Sequence, residues 1–136
     1  RPPAAEELAA ARLATARRLA AAYRATVLLK GSTTVVADPS GSVRVNPTGT
    51  AWLATAGSGD VLAGLAGSLL AAGLSAPDAA AVAACLHGLA ARHTAGVPGA
   101  PVTASEVAAA LPAVWNDVRA AAAPEPRSGR PGGTGA

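Results

Sequence analysis

From Val61 to Pro77 the chain carries no charged residue and is mostly apolar, and a glycine-rich turn, Gly57-Ser58-Gly59-Asp60, runs straight into it. A helix without charge on any face has to bury most of its surface, either in a bilayer or under the other layers of a fold. Gly64, Gly67, Ser68 and Gly73 dilute the apolar run, Gly73 reads as a helix stop, and Asp78 follows at once. The run is therefore read as a buried helix of an α/β protein rather than a membrane span.

The chain of 136 residues is long enough for one domain with a real core. Its formal charge of +3 is small, and its arginines are scattered between an early segment and the end. With two Trp and one Tyr there is no basic stripe interleaved with aromatics, so a nucleic-acid partner is not expected. Cys85 is the one cysteine, which excludes an internal disulfide and a thiolate metal cluster. It reads as a small buried apolar residue, in keeping with a reducing, cytoplasmic setting. The first residues show no apolar signal region. Abundant alanine suits core and surface alike and blunts any argument from helical periodicity.

Glu6 to Arg24 reads as a helix, rich in Ala, Leu, Arg and Glu and free of Gly and Pro. Thr26 to Lys30 is a short apolar run read as a buried, parallel strand, because a helix precedes it. Thr33 to Ala37 and Ser42 to Asn46 are two more strands, separated by the turn Asp38-Pro39-Ser40-Gly41. Helices are expected from Gly59 to Ala72, from Pro77 to Thr94, and from the capping-box sequence Thr103-Ala104-Ser105-Glu106 toward Ala120, with Pro112 inside the last. Residues 124–136, rich in Pro, Gly, Arg and Ser, read as a disordered tail. The fold class is α/β, with short strands followed by helices. The partial domain spans 1–122 and the tail 123–136.

Two segments carry the chemistry. A helix N-terminus presents unpaired N–H groups and a partial positive charge, and Gly57 and Gly59 let an anion reach the backbone. Asp60 on the same turn is badly placed to hold phosphate and well placed to take a proton from a hydroxyl attacking it. Lys30-Gly31-Ser32-Thr33-Thr34 ends the first strand, where ligands of parallel sheets bind, and offers an amine and hydroxyls to phosphate or ribose. Asn46, Thr48 and Thr50 read first as makers of turn hydrogen bonds, Trp52 as a packing residue and His87 as a satisfied core or interface histidine. No cluster has metal-ligand spacing, so a Mg2+ would arrive with a nucleotide.

Lys30 to Thr34, Asn46-Pro47-Thr48-Gly49, Leu53 to Gly64 and Leu86-His87-Gly88 together resemble the ADP/ATP-dependent NAD(P)H-hydrate dehydratases, members of the ribokinase-like superfamily. The resemblance covers most of Leu8 to Leu111. It implies the C-terminal portion of a three-layer α/β/α domain and a metabolite-repair activity. In that activity a nucleotide phosphorylates the ring hydroxyl of hydrated NADH or NADPH, and loss of phosphate restores the double bond. It implies Asp60 as the catalytic base and substrate contact, and Gly57, Ser58 and Gly59 as the anion hole. The nucleotide site would be Lys30, Gly31, Ser32, Thr33, Thr34 and Gly59, taking ADP or ATP with Mg2+. Family members carry a further N-terminal part about as long again, so the resemblance also implies a homo-oligomeric larger protein, and exposed sheet edge and apolar surface on this piece of it. The alternatives are a small-molecule kinase of the same superfamily and an inactive nucleotide-binding fragment.

Overall fold

The computed structural model describes residues 5–123, so the expected tail at 124–136 lies outside the described residues. Helix α1 spans Ala5–Tyr23 and ends where Arg24 turns left-handed at φ 49°. Strands β1 (Val27–Leu29), β2 (Thr34–Ala37) and β3 (Val43–Asn46) follow. After a short 3-10 turn at Ala51–Leu53 come three helices: α2 (Ser58–Ala71), α3 (Ala76–Ala95) and α4 (Ala104–Ala122).

The three strands pair in chain order and every pairing is antiparallel, with Leu28 opposite Val36 and Val36 opposite Arg44. The parallel reading of the first strand is therefore corrected. Only residues 30–33 separate β1 from β2. So short a link closes a hairpin, whereas a parallel crossover needs a dozen residues or more. The second hairpin turns at Asp38–Ser42, where Gly41 takes φ 94° and donates its N–H to the Asp38 carbonyl at 2.9 Å.

Alternation along β2 divides its side chains between two layers. Val35 and Ala37 pack with Ala16 and Ala20 of α1. Thr34 and Val36 face the other way, toward the side that α3 covers. The sheet thus carries helices on both faces, the layered arrangement expected of this α/β class. Leu28 joins Leu62 and Leu69 of α2 and Ala79 and Ala83 of α3, and α3 packs against α4 through Leu86, Ala90, Val107 and Val114. Alanines on α3 are what let α2, α4 and the sheet approach it so closely.

The helix starts follow their local chemistry. Ser75 caps α3 by accepting from the Asp78 N–H. Thr103 and Glu106 form the reciprocal capping box at the start of α4. Helix α4 continues through Pro112 as one element. Among the described residues, no helix is long and apolar enough to cross a membrane. Val45 on β3 is 59% exposed, and Trp115 and Val118 on α4 are 42% exposed each.

Candidate functional site

Gly57 is the N-cap of α2, at φ 81°, with no side chain capping the helix. A Cβ there would sit 3.2 Å from the Ala104 Cβ, so two constraints select glycine: the left-handed backbone and the start of α4. The Asp60 N–H turns back to the Gly57 carbonyl at 3.1 Å, and the Ser58 N–H donates to the Thr55 carbonyl at 3.3 Å. Among the described residues, nothing accepts from the N–H of Gly57 or Gly59. Both glycines are exposed, and nothing lies within 4 Å of a Cβ built on Gly59. The Asp60 side chain is exposed on the first turn of α2 and makes no ion pair among the described residues.

Ser58 behaves differently from its two neighbours. It is 2% exposed, and its hydroxyl donates to the Leu53 carbonyl at 2.7 Å while accepting from Lys30 Nζ at 3.1 Å. Lys30 Nζ also reaches the Leu53 carbonyl at 3.4 Å. The lysine thus joins the end of β1 to the turn before α2, and brings the two sequence-predicted segments together.

Beside this junction lies a cavity of about 130 Å³ lined by Lys30, Gly31 and Ser32 on one wall and Thr50, Ala51, Leu53 and Ala54 on the other. The predicted nucleotide residues divide around it. Lys30, Gly31 and Ser32 line it, and Thr33 is exposed nearby in sequence. Thr34 is 4% exposed, and its hydroxyl exchanges hydrogen bonds with Gly31, accepting from the N–H at 3.3 Å and donating to the carbonyl at 3.2 Å. The space beside Gly31 is filled by Arg12, whose Nη2 would lie 2.7 Å from a Cβ there.

The expected turn-formers do form turns. Thr48 Oγ1 lies 3.0 Å from Asn46 Oδ1 and 3.1 Å from the Cys85 carbonyl, tying this loop to α3. Gly88 makes that approach possible, since a Cβ there would sit 2.7 Å from the Thr48 carbonyl carbon. Cys85 itself is half-buried. Trp52 is 41% exposed, its indole nitrogen 2.9 Å from where a Gly99 Cβ would stand.

His87 departs from its sequence reading. It is 2% exposed, as a core histidine should be, but Nε2 has no hydrogen-bond partner among the described residues. Burial pushes its pKa down, the Lys30 charge pushes the same way, and a backbone hydrogen bond with Ser58 opposes them. The imidazole is therefore close to the same Lys30–Ser58 junction, which together with burial disfavours its charged form. Arg12 and Arg92, which reasoning from sequence left unassigned, each donate to several carbonyls of the loops around the cavity. Nothing in a sequence marks which of several arginines will fold back on the main chain.

Two exposed glycine N–H groups at a helix N-terminus, an unpaired carboxylate on the same turn and a lysine that reaches that turn from a strand end set the local arrangement. Residues 3–113 match the sequence family described as NAD(P)H-hydrate dehydratase. The chain belongs to that family.

Among its dehydratase relatives is a bifunctional NAD(P)H-hydrate repair enzyme of Mycobacterium leprae, 54% identical over 99 residues, which are 71% of this chain and 21% of the relative. The ADP-dependent (S)-NAD(P)H-hydrate dehydratase of Neisseria meningitidis serogroup B is 48% identical over 107 residues, 76% of this chain and 36% of the relative. The ADP/ATP-dependent dehydratase of Bacillus subtilis, co-crystallized with ATP/Mg2+, superposes with a TM-score of 0.74 at 33% identity, over 82% of this chain and 41% of that one. The chain thus spans less than half the length of these dehydratases. Among the described residues, no three His, Cys, Asp or Glu side chains come together as metal ligands.

Proposed function

We propose that the protein containing this chain returns hydrated NADH and NADPH to their working forms at the expense of ADP or ATP. Asp60 is the catalytic base. Its exposed carboxylate takes the proton of the ring hydroxyl as that oxygen attacks the terminal phosphoryl group of the nucleotide, which leaves as the shorter nucleotide. The N–H groups of Gly57 and Gly59, at the positive end of α2, stabilise the charge on the phosphoryl oxygens in transit. Ser58 belongs to the same turn and supports it from below through Leu53 and Lys30. The new phosphate ester is a far better leaving group than hydroxide. It departs with the carbon–oxygen bonding pair, the neighbouring ring carbon gives up a proton, and the double bond is restored.

Lys30, Gly31, Ser32, Thr33 and Thr34, with Gly59, form the nucleotide site in this reading. The amine, the exposed hydroxyls and the cavity wall contact the nucleotide, and Thr34 shapes the loop. Mg2+ enters on the phosphates and lowers their repulsion. The setting we propose is the cytoplasm, with soluble nucleotides as the partners and a homo-oligomer as the assembled form.

The observation that carries this reading is the exposed Asp60 carboxylate beside two unclaimed glycine N–H groups at one helix start. The test uses the complete protein with hydrated NADH, Mg2+ and ADP or ATP, following the recovery of reduced-nicotinamide absorbance. Recovery that requires nucleotide and yields one inorganic phosphate per turnover is expected. A stable phosphorylated product without recovery would make the protein a small-molecule kinase instead. Binding of nucleotide with no product of either kind would leave only a binding role.

A further inference from the structure

Two arginines far apart in the sequence do the same job on opposite walls of the cavity. Arg12, on α1, directs Nη2 at the carbonyls of Leu29 and Lys30, both at 3.1 Å, and of Thr33 at 3.3 Å. Arg92, on α3, donates Nε to the Thr48 carbonyl and Nη2 to those of Pro47 at 3.3 Å and Gly49 at 3.0 Å. Each guanidinium contacts three main-chain oxygens, Arg12 at the end of β1 and in the loop after it, Arg92 in the loop after β3. The loops then meet. Gly49 is buried, and a Cβ on it would overlap the Ser32 carbonyl and lie 2.9 Å from that of Gly31. Ser32 and Gly31 are on the first wall of the cavity, and Thr50, next to Gly49, is on the second.

We infer that Arg12 and Arg92 are positioning residues that set the width of this cavity for the nucleotide, an inference that rests on the nucleotide site proposed above. Neither side chain needs to touch the ligand. A planar guanidinium presents its donors in a fixed fork and so sets the direction of the carbonyls it meets, whereas the donors of an ammonium rotate on a flexible stem. Carbonyls turned toward the arginines are also turned away from the anion that would enter between the loops. Their removal would leave negative carbonyl dipoles free to swing toward the phosphates. Lost preorganisation of this kind appears chiefly as weaker binding, since Asp60 and the start of α2 stand on other elements.

The experiment measures nucleotide KM, kcat and thermal midpoint of the complete protein, alongside direct calorimetric binding of ADP and ATP. Arg92→Ala is expected to raise nucleotide KM and Kd about tenfold, roughly one charge-assisted hydrogen bond's worth, with kcat within about twofold of the parent. Arg92→Lys is expected to recover only part of the loss. Millimolar guanidinium ion should restore tight binding to Arg92→Ala and leave the parent unchanged. Arg12→Lys, milder than truncation at a half-buried position, should also raise KM. If Arg92→Ala proves poorly folded, Arg92→Lys and Arg12→Lys carry the test. Wild-type nucleotide KM and Kd in well-folded variants would overturn the inference and leave the proposed function standing. A parent protein that binds no nucleotide at all would overturn both.

Discussion

The loop after β1 and the turn before α2 were equally good candidates as sequences, but they are built in opposite ways. In the loop, several polar groups are engaged by the chain itself, while the Ser32 and Thr33 side chains stay exposed. Arg12 holds its carbonyls, Thr34 and Gly31 bond one another, and Lys30 reaches across to Ser58 and Leu53. In the turn, the N–H groups of Gly57 and Gly59 and the carboxylate of Asp60 have no partner among the described residues. A segment whose groups satisfy each other supplies shape and affinity. A segment that keeps donors and a base unsatisfied at the surface supplies reactivity, because those groups are available to a ligand whose charge changes during reaction. The two segments should therefore respond to substitution in different observables.

The largest effect expected from this difference is at Asp60. Asp60→Asn in the complete protein should lower kcat on the order of 10² to 10⁴-fold, with the thermal midpoint and nucleotide Kd almost unchanged. The amide keeps the shape and loses the basicity. An Asn variant with near-parental turnover and an intact fold would remove the division of labour between turn and loop.

The two glycines of the turn separate strain from chemistry. Gly57→Ala should destabilise the fold by about 1–2 kcal/mol, because a left-handed φ of 81° and the Ala104 methyl 3.2 Å away both oppose a side chain. Gly59→Ala meets nothing within 4 Å and replaces glycine inside a helix, so stability should hold or rise by about 0.5–1 kcal/mol. Its turnover should nevertheless fall if the proposed anion site holds, since the new methyl would stand where the phosphoryl group is proposed to reach the N–H. Chemical denaturation and single-turnover kinetics on the pair read the two quantities apart. A fully active Gly59→Ala would place the phosphoryl group elsewhere.

Most element positions were legible because local signals were strong. Examples are the Asp38-Pro39-Ser40-Gly41 turn, the Ser75 and Thr103 caps, and Gly73 ending α2 with φ 96°. The strand direction runs against what a preceding helix suggests, because the short 30–33 connection demands a hairpin. At the site, the turn and the loop were both found as motifs, but not the groups that join or brace them. The Lys30–Ser58 bond, the buried His87 and the two arginine clamps all depend on residues 28 or more positions apart, or on α1 folding against β1. Gly49 and Gly88 stand in motifs visible in the sequence, but only the packed structure shows the backbone that excludes a side chain there.

His87 offers a smaller test of the junction between the two segments. Burial and the neighbouring Lys30 charge depress its pKa below the usual 6.5 in the folded protein. The unfolded chain then binds a proton that the folded one refuses, so stability is full above about pH 6.5 and falls as pH drops from there toward the folded-state value. The slope in that window can reach about 1.4 kcal/mol per pH unit for one proton. Asp38, Asp78 and Glu106, whose pKa values are lowered by their hydrogen bonds, add their own losses only further down, below the carboxylate range near pH 4. Denaturation at a series of pH values should show the upper step in the parent and its loss in His87→Gln. A parent protein with flat stability between pH 5 and 7 would contradict a neutral, buried imidazole near the junction.

The smallest expected effect calibrates the Gly57 experiment from outside both segments. Arg24 is exposed and takes a left-handed φ of 49° where α1 ends, the position at which glycine is favoured. Arg24→Gly should stabilise the fold by roughly 0.5–1 kcal/mol and leave kcat and nucleotide KM unchanged. That gain measures what a left-handed backbone costs a residue with a Cβ in this protein. Subtracting it from the loss in Gly57→Ala leaves the contribution of crowding against Ala104. If the two values are equal in size, the start of α4 does not press on the turn, and Gly57 is there for its backbone alone. If the Gly57 loss is clearly larger, α4 helps fix the turn, and Asp60 on α2, the proposed base, is held in place by a helix that lends no atom to the proposed chemistry.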